Sequence, residues 1–321
     1  MAELLSIVVP CFNEAENLPR LHELLSRVLD GMPSLNCEII CIDDGSTDRT
    51  VEVLNALRAQ DPRIGILRFV RNFGHQAALN AGLRHARGNA VVMMDADLQH
   101  PPEMLLQLIE KWRSGYDVVQ TVRRSQPGLA KTLTSRAFYS VMRSVSDVEL
   151  EDGAADFRLM SRRAVDALLA LPEHTRFLRG LVTWLGFPTA LIEFDAPPRT
   201  AGDSGYSFSK MVGLAEDAVV SLSSRPLRFS LYLAGCTILA AIIYGAYVLN
   251  LYFTGQPVVR GWPSTVMVIL MMGSANLICT GILGLYLRAV LSELRRRPDY
   301  IIAGFEPPRI QMVPMEYKSV V

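Results

Sequence analysis

Asp95 and Asp97 stand two residues apart where an apolar run ends, and Gln99 follows at the same spacing. Two carboxylates and an amide oxygen are the hard donors that Mg2+ or Mn2+ takes when it also binds substrate phosphates. The same residues are ordinary punctuation between a strand and a helix, because Asp97, Gln99 and the Pro101-Pro102 pair can cap or break a chain. A second acidic turn, Asp43-Asp44-Gly45-Ser46-Thr47-Asp48, offers Ser46 or Asp48 as a helix cap, a role compatible with ligand binding. Cys11-Phe12-Asn13-Glu14 and Arg71-Asn72-Phe73-Gly74 complete a set of four polar segments.

Each segment follows a short β-rich run: Leu5–Pro10, Cys37–Asp43, Ile64–Val70 and Asn89–Asp95, with a fifth run at Tyr116–Val122. Mostly unbroken apolar runs are expected of strands covered on both faces. Amphipathic helices lie between them, as in Glu16–Asp30, where Leu18, Leu21, Leu24, Leu25 and Leu29 share one side. The pattern predicts a doubly wound α/β sheet whose ligands bind beyond the carboxyl ends of the strands. From about Lys131 onward, strands are expected to give way to helices. The absence of GxGxxG after the first strand and of GxxxxGK[ST] anywhere disfavours dinucleotide chemistry and a P-loop. His22, His75, His85, His100 and His174 show no metal-type pairing and are assigned no direct chemistry, and no serine has a His/Asp partner at a recognisable spacing.

The 321 residues allow about two structural units. With 32 basic against 32 acidic residues, nucleic-acid binding through bulk positive charge is excluded. A mean hydropathy of +0.22 is high for a soluble enzyme, and the apolar residues crowd into the last third. Phe229–Phe253 and Trp262–Leu287 carry no charge, and each exceeds the about 20 residues that cross a bilayer. Arg225 and Arg228 precede the first stretch and Arg288, Arg295, Arg296 and Arg297 follow the second, against Arg260 alone between them, so both ends are expected in the cytoplasm. The amino terminus lacks a signal peptide's basic region and cleavage site. Five cysteines without a CxxC pair fit a reducing compartment. Tyr206–Leu222 is amphipathic and suits either the membrane interface or packing on the first domain. The expected division is a cytosolic domain over 1–205, a juxtamembrane helix over 206–228, a two-span hairpin over 229–287 and a cytosolic tail over 288–321, loose after Pro307.

In this order, VVPCFNEAENL, IDDGSTDRT, RNFGHQAALNAGL and DADLQHPPE resemble the signature of family-two inverting glycosyltransferases with a nucleotide-diphosphosugar, GT-A-like fold. The later GAADFRLMSRRAV, RFLRGLVTWLGF and RTAGDSGYSFSKM, followed by the paired apolar stretches, are similar to polyprenyl-phosphate sugar transferases of the GtrB type, related to dolichol-phosphate-mannose synthase. The resemblance covers about Leu5 to Arg297.

It implies that Pro10, Phe12, Asn13, Glu14, Arg71 and Asp95 border a nucleotide-sugar and that Asp44 accepts from its base, while Asp95, Asp97 and Gln99 hold Mg2+ or Mn2+ at the diphosphate. A carboxylate can accept the N3–H of uracil and an aromatic ring can cover the base. Phe12 stands where many relatives have tyrosine, and core packing is its other open role. Asp156 is the implied base or acceptor-orienting carboxylate, with a salt bridge to Arg158 as the alternative. Arg123, Arg136, Arg199 and Lys210 are the implied phosphate clamps. The implied reaction moves a hexose, first choice glucose from UDP-glucose, to polyprenyl (undecaprenyl) phosphate at the cytoplasmic face of a bacterial inner membrane, giving a lipid-linked donor for cell-envelope glycosylation. GDP-mannose, UDP-GlcNAc or another nucleotide-sugar is the alternative donor, a non-catalytic membrane scaffold the alternative class, and a homo-oligomer stays open.

Overall fold

The computed structural model describes residues 3–33, 35–123, 154–171, 178–194, 225–254, 261–295 and 297–310. Four strands, β1 (Leu4–Cys11), β2 (Asn36–Asp43), β3 (Ile64–Phe69) and β4 (Ala90–Met93), form a parallel core with β1 between β2 and β4. Every residue of β1 is buried, as a strand with helices on both faces requires. Helix α1 (Leu18–Asp30) turns Leu18, Leu21, Leu25 and Leu29 onto Leu5, Ile7 and Val9, on one face of the sheet. On the other face, α3 (His75–His85) sets Ala78, Leu79, Ala81 and Leu83 against Val8, Ile40 and Ile42. Gly82 sits at that contact, where a Cβ would run into the Val8 side chain and stand 2.8 Å from Ile42 Cδ1. Each buried leucine contributes about 2 kcal/mol, so the two clusters fix how the helices lie on the strands. Helices α2 (Thr50–Gln60) and α4 (Leu105–Arg113) complete this half.

Three strands among the described residues after Lys131 depart from the expectation that helices take over there. β6 (Ala154–Ser161) runs antiparallel between β4 and β5 (Val118–Arg123), and β7 (Thr189–Phe194) pairs parallel with β5. Helices α5 (Arg162–Ala170) and α6 (Leu178–Trp184) lie between β6 and β7 in the chain. Buried charges hide β6 from an apolar-run reading, since Asp156 and Arg158 lie inside it. β8 (Ile302–Glu306) pairs antiparallel with β3 and closes the order β7-β5-β6-β4-β1-β2-β3-β8. The segment that carries β8 is anchored as far as Arg309, and residues 311–321, where a loose end is expected, lie outside the described residues. Arg58 binds Glu306 at 2.7 Å, Arg309 N donates to Pro62 O, and Tyr300 stacks on Phe69 at 4.9 Å between ring centroids.

The chain divides into two compact units, one holding this sheet and the other holding α7 (Arg225–Phe253) and α8 (Trp262–Arg295). These helices are 29 and 34 residues long. Among the described residues no helix is long and apolar enough to cross a membrane. The uncharged stretches Phe229–Phe253 and Trp262–Leu287, expected as spans, fall on these two helices. The amphipathic segment 206–222 lies outside the described residues.

Candidate active site

The first two strand ends are knitted together by side chains. Asn13 N donates to Ser46 Oγ at 3.0 Å, Thr47 N to Asn13 Oδ1 at 2.9 Å, and Glu14 N to Thr50 Oγ1 at 2.8 Å. Asn13 adopts a φ of 57°, a left-handed conformation that asparagine tolerates better than most residues. Asp48 accepts from the Thr50 N–H and hydroxyl at the start of α2, so of the two cap candidates it is Asp48 that binds the helix, while Ser46 ties the loops. Pro10 is buried at the end of β1. Phe12 is 45% exposed, which removes core packing as its role.

Asp44 closes the next pair of strand ends. Its carboxylate accepts from Phe73 N at 2.7 Å and Gly74 N at 2.9 Å. Burial raises its pKa, and the two backbone donors work against that rise. The exposed Arg71 lies over the Phe73 ring at 4.1 Å. At Gly45, with φ 68°, a Cβ would collide with the backbone of Arg71, so the second loop passes directly against the third.

Acidic groups gather beyond β4. Glu14 is held above its ordinary pKa first by burial and then, against a lowering bond from Asn17, by the charges of Asp97 and Asp95. Asp97 Oδ1 accepts from Gln99 N at 3.1 Å across Leu98, whose φ is 61°. Gln99 Oε1 accepts from Arg123 Nη2 at 2.7 Å. His100 is stacked on Phe157, and burial pushes its pKa down to about 4. Its Nδ1 accepts the Asp95 N–H at 3.1 Å, as a neutral imidazole can.

Asp156 arrives from β6. Met93 pairs with Arg158, so two residues along each antiparallel chain carry Asp95 and Asp156 to the same place. Asp156 Oδ1 lies 3.5 Å from Arg158 Nη2, and Arg158 is itself only 1% exposed. The expected ion pair thus exists, and Asp156 still reaches the rim. From α3, His75 Nε2 lies 3.5 Å from Asp95 Oδ1 and 3.6 Å from Asp156 Oδ2.

The fold therefore brings Phe12, Asn13, Glu14, Asp44, Arg71, Asp95, Asp97, Gln99, Arg123 and Asp156 to the strand ends of one sheet. Arg136, Arg199 and Lys210 lie outside the described residues. Sequence assigns His75 no direct chemistry, because Asp95 and Asp156 meet it from two other elements with no local spacing to mark them, and it names Arg158 only as the ion-pair partner of Asp156 two residues away. Among the described residues, no group of three or more His, Cys, Asp or Glu is placed to hold a metal ion.

Residues 6–169 match Glycosyl transferase family 2. An uncharacterized glycosyltransferase from Synechocystis sp. is 38% identical over 301 residues, 93% of this chain and 94% of that protein. The prophage bactoprenol glucosyl transferase homolog of Escherichia coli is 39% identical over 93% of this chain and 98% of its own length. Bactoprenol glucosyl transferase of Shigella phage SfII is 39% identical over 93% of this chain and 97% of its own.

Proposed function

Because the chain belongs to glycosyl transferase family 2, we propose that it transfers glucose from UDP-glucose to a polyprenyl phosphate, with inversion at the anomeric carbon. The mixed sheet is the GT-A-like scaffold of such a transferase. The observation that carries the reading is the convergence of Asp44, Asp95, Asp97 and Asp156 on one rim of a chain alike over nearly its whole length to bactoprenol glucosyl transferases.

On this reading Asp44 and Phe12 receive the uracil ring, with Asn13, Glu14 and Arg71 around it. Asp95 and Asp97 would hold Mg2+ or Mn2+. Their donor set fits, because two carboxylates leave coordination positions for diphosphate oxygens and water, as these cations prefer at phosphate sites. When bound, the cation offsets the charge that develops on the leaving diphosphate. An oxygen of the lipid phosphate attacks the anomeric carbon as the bond to the nucleoside diphosphate breaks, and the bonding pair departs with that diphosphate. A phosphate monoester with a second pKa near 6 is largely ionised at neutral pH, so Asp156 has little proton to remove. Its work is to orient the acceptor, together with Arg123 and with Arg136, Arg199 and Lys210.

The acceptor on this reading is a lipid, and we assign to the bilayer the uncharged sequences Phe229–Phe253 and Trp262–Leu287, carried by α7 and α8. At 1.5 Å per residue their 29 and 34 residues exceed the roughly 30 Å of a hydrocarbon core. Tyr232, Ile242, Met271 and Leu277 on these helices are each well over half exposed. The arginine-rich flanks favour a cytoplasmic catalytic unit at a bacterial plasma membrane. The deciding test offers a panel of radiolabelled nucleotide-sugars with undecaprenyl phosphate to the membrane-embedded protein and scores label entering the organic phase. Label from UDP-glucose alone supports the reading; label from another donor changes the sugar, and none from any donor removes the activity.

A further inference from the structure

We propose that His75 is a positioning residue that holds Asp95 and Asp156 together across the rim. The proposal rests on the glycosyl-transfer reading for its consequence and on geometry for its content. Asp95 leaves β4 and Asp156 lies in β6, and the pairing of those strands brings both carboxylates to one end. Two like charges so placed repel, and a nitrogen set between them offsets that repulsion. The imidazole Nε2 stands there, 3.5 Å from Asp95 Oδ1 and 3.6 Å from Asp156 Oδ2.

The ring is delivered by a third strand end. Asp44, at the end of β2, fixes the backbone N–H groups of Phe73 and Gly74. Gly74 takes a φ of 100°, and α3 begins at the next residue, His75. The helix is locked to the sheet by Ala78, Leu79 and the tight contact at Gly82. Asp156 is thereby held from two sides, by Arg158 on its own strand at Oδ1 and by His75 from α3 at Oδ2. With a nitrogen at 3.5–3.6 Å from each oxygen, contacts of ion-pair length, one orientation of the carboxylate is favoured over the others. His75 thus ties the carboxylate assigned to the donor diphosphate to the one assigned to the acceptor.

The test compares full-length native protein with His75→Ala and His75→Gln in bilayers, measuring kcat and both KM values. Crystal structures of the metal-free proteins are compared alongside. A glutamine amide can set an N–H close to the place of Nε2. We expect His75→Ala to fold with an unchanged thermal midpoint, lose about tenfold or more in kcat, and keep the donor KM within about threefold, as misplaced groups do. His75→Gln should recover to within about threefold of native. In the metal-free crystals the Asp156 or Asp95 carboxylate should shift in the alanine variant and stay put in the glutamine variant.

Native kcat in His75→Ala, a loss confined to KM, or a glutamine variant no better than alanine would overturn the proposal. Unmoved carboxylates in the alanine variant would do the same. Absence of transfer by the native protein with every donor would count against glycosyl transfer, and the carboxylate positions would then decide the role of His75 by themselves.

Discussion

Gln99 Oε1 accepts a 2.7 Å hydrogen bond from Arg123 Nη2. The amide oxygen read from sequence as a metal donor is therefore engaged by a cation read as a phosphate clamp. Gln99→Ala is predicted to raise the KM for polyprenyl phosphate about tenfold, the worth of one charge-assisted hydrogen bond, while the dependence of rate on metal concentration stays as in the native protein. A tenfold shift in the metal titration would return Gln99 to the metal.

Asp95→Asn and Asp97→Asn should each lower transfer by two orders of magnitude or more without unfolding the sheet, since each removes an anionic ligand at the diphosphate. Excess EDTA should do the same to the native enzyme. Circular dichroism checks the fold. Full transfer in chelator, or in both variants, would sink the metal reading.

For Asp156→Asn we predict a loss of about 100-fold or more that is nearly flat between pH 6 and pH 8, because an already ionised acceptor needs orienting more than deprotonating. A loss that is deep at pH 6 and recovers as pH rises would make Asp156 a base. Native turnover at every pH would take it out of the site.

Away from the rim, Asp61 governs acid stability. Burial pushes its carboxyl up, but hydrogen bonds from His22 and Arg63 outweigh burial and hold the pKa well below the ordinary range. A carboxyl depressed in the folded state adds stability above its unfolded pKa of about 3.9 and loses it as pH falls through the lower folded value. Asp61→Asn should thus cost on the order of 2 kcal/mol at pH 7, with the gap to native narrowing below about pH 4. Denaturant melts at pH 7 and pH 3 measure it, and a pH-independent gap would contradict the assignment.

With Cys236 and Cys279 replaced by alanine, a cysteine at Gly255 is predicted to react with an impermeant thiol reagent applied outside intact cells. One placed at Lys318 should react only after lysis. The opposite labelling pattern would invert the topology.

Sequence made the inner sheet legible because strands covered on both faces announce themselves as apolar runs: β1 through β5 lie within a few residues of where the runs place them. The polar strand ends were legible for the same reason, as breaks in those runs. β6 was not, since it carries Asp156 and Arg158, which pair with each other inside the strand while His75 of α3 meets Asp156 from outside it. β8 was not, because a five-residue edge strand with exposed side chains and an internal glycine has no periodicity to show. His75 lacked any local signal, as its partners lie 20 or more residues away and meet it only once three strands are assembled.

The position of β8 sets a schedule for biogenesis. Its strand pairs with β3, yet it is translated only after α7 and α8. At about 5–20 residues per second, the nascent chain carries β3 as an open sheet edge for roughly 10 to 50 s before the partner strand exists. Unpaired edges template aggregation, so a ribosome that stalls beyond α8 releases a chain whose enzyme half is incomplete at its border. Among the described strands β8 is the last made, and by pairing with β3 it moves the border of the sheet from a buried strand to a short, exposed one.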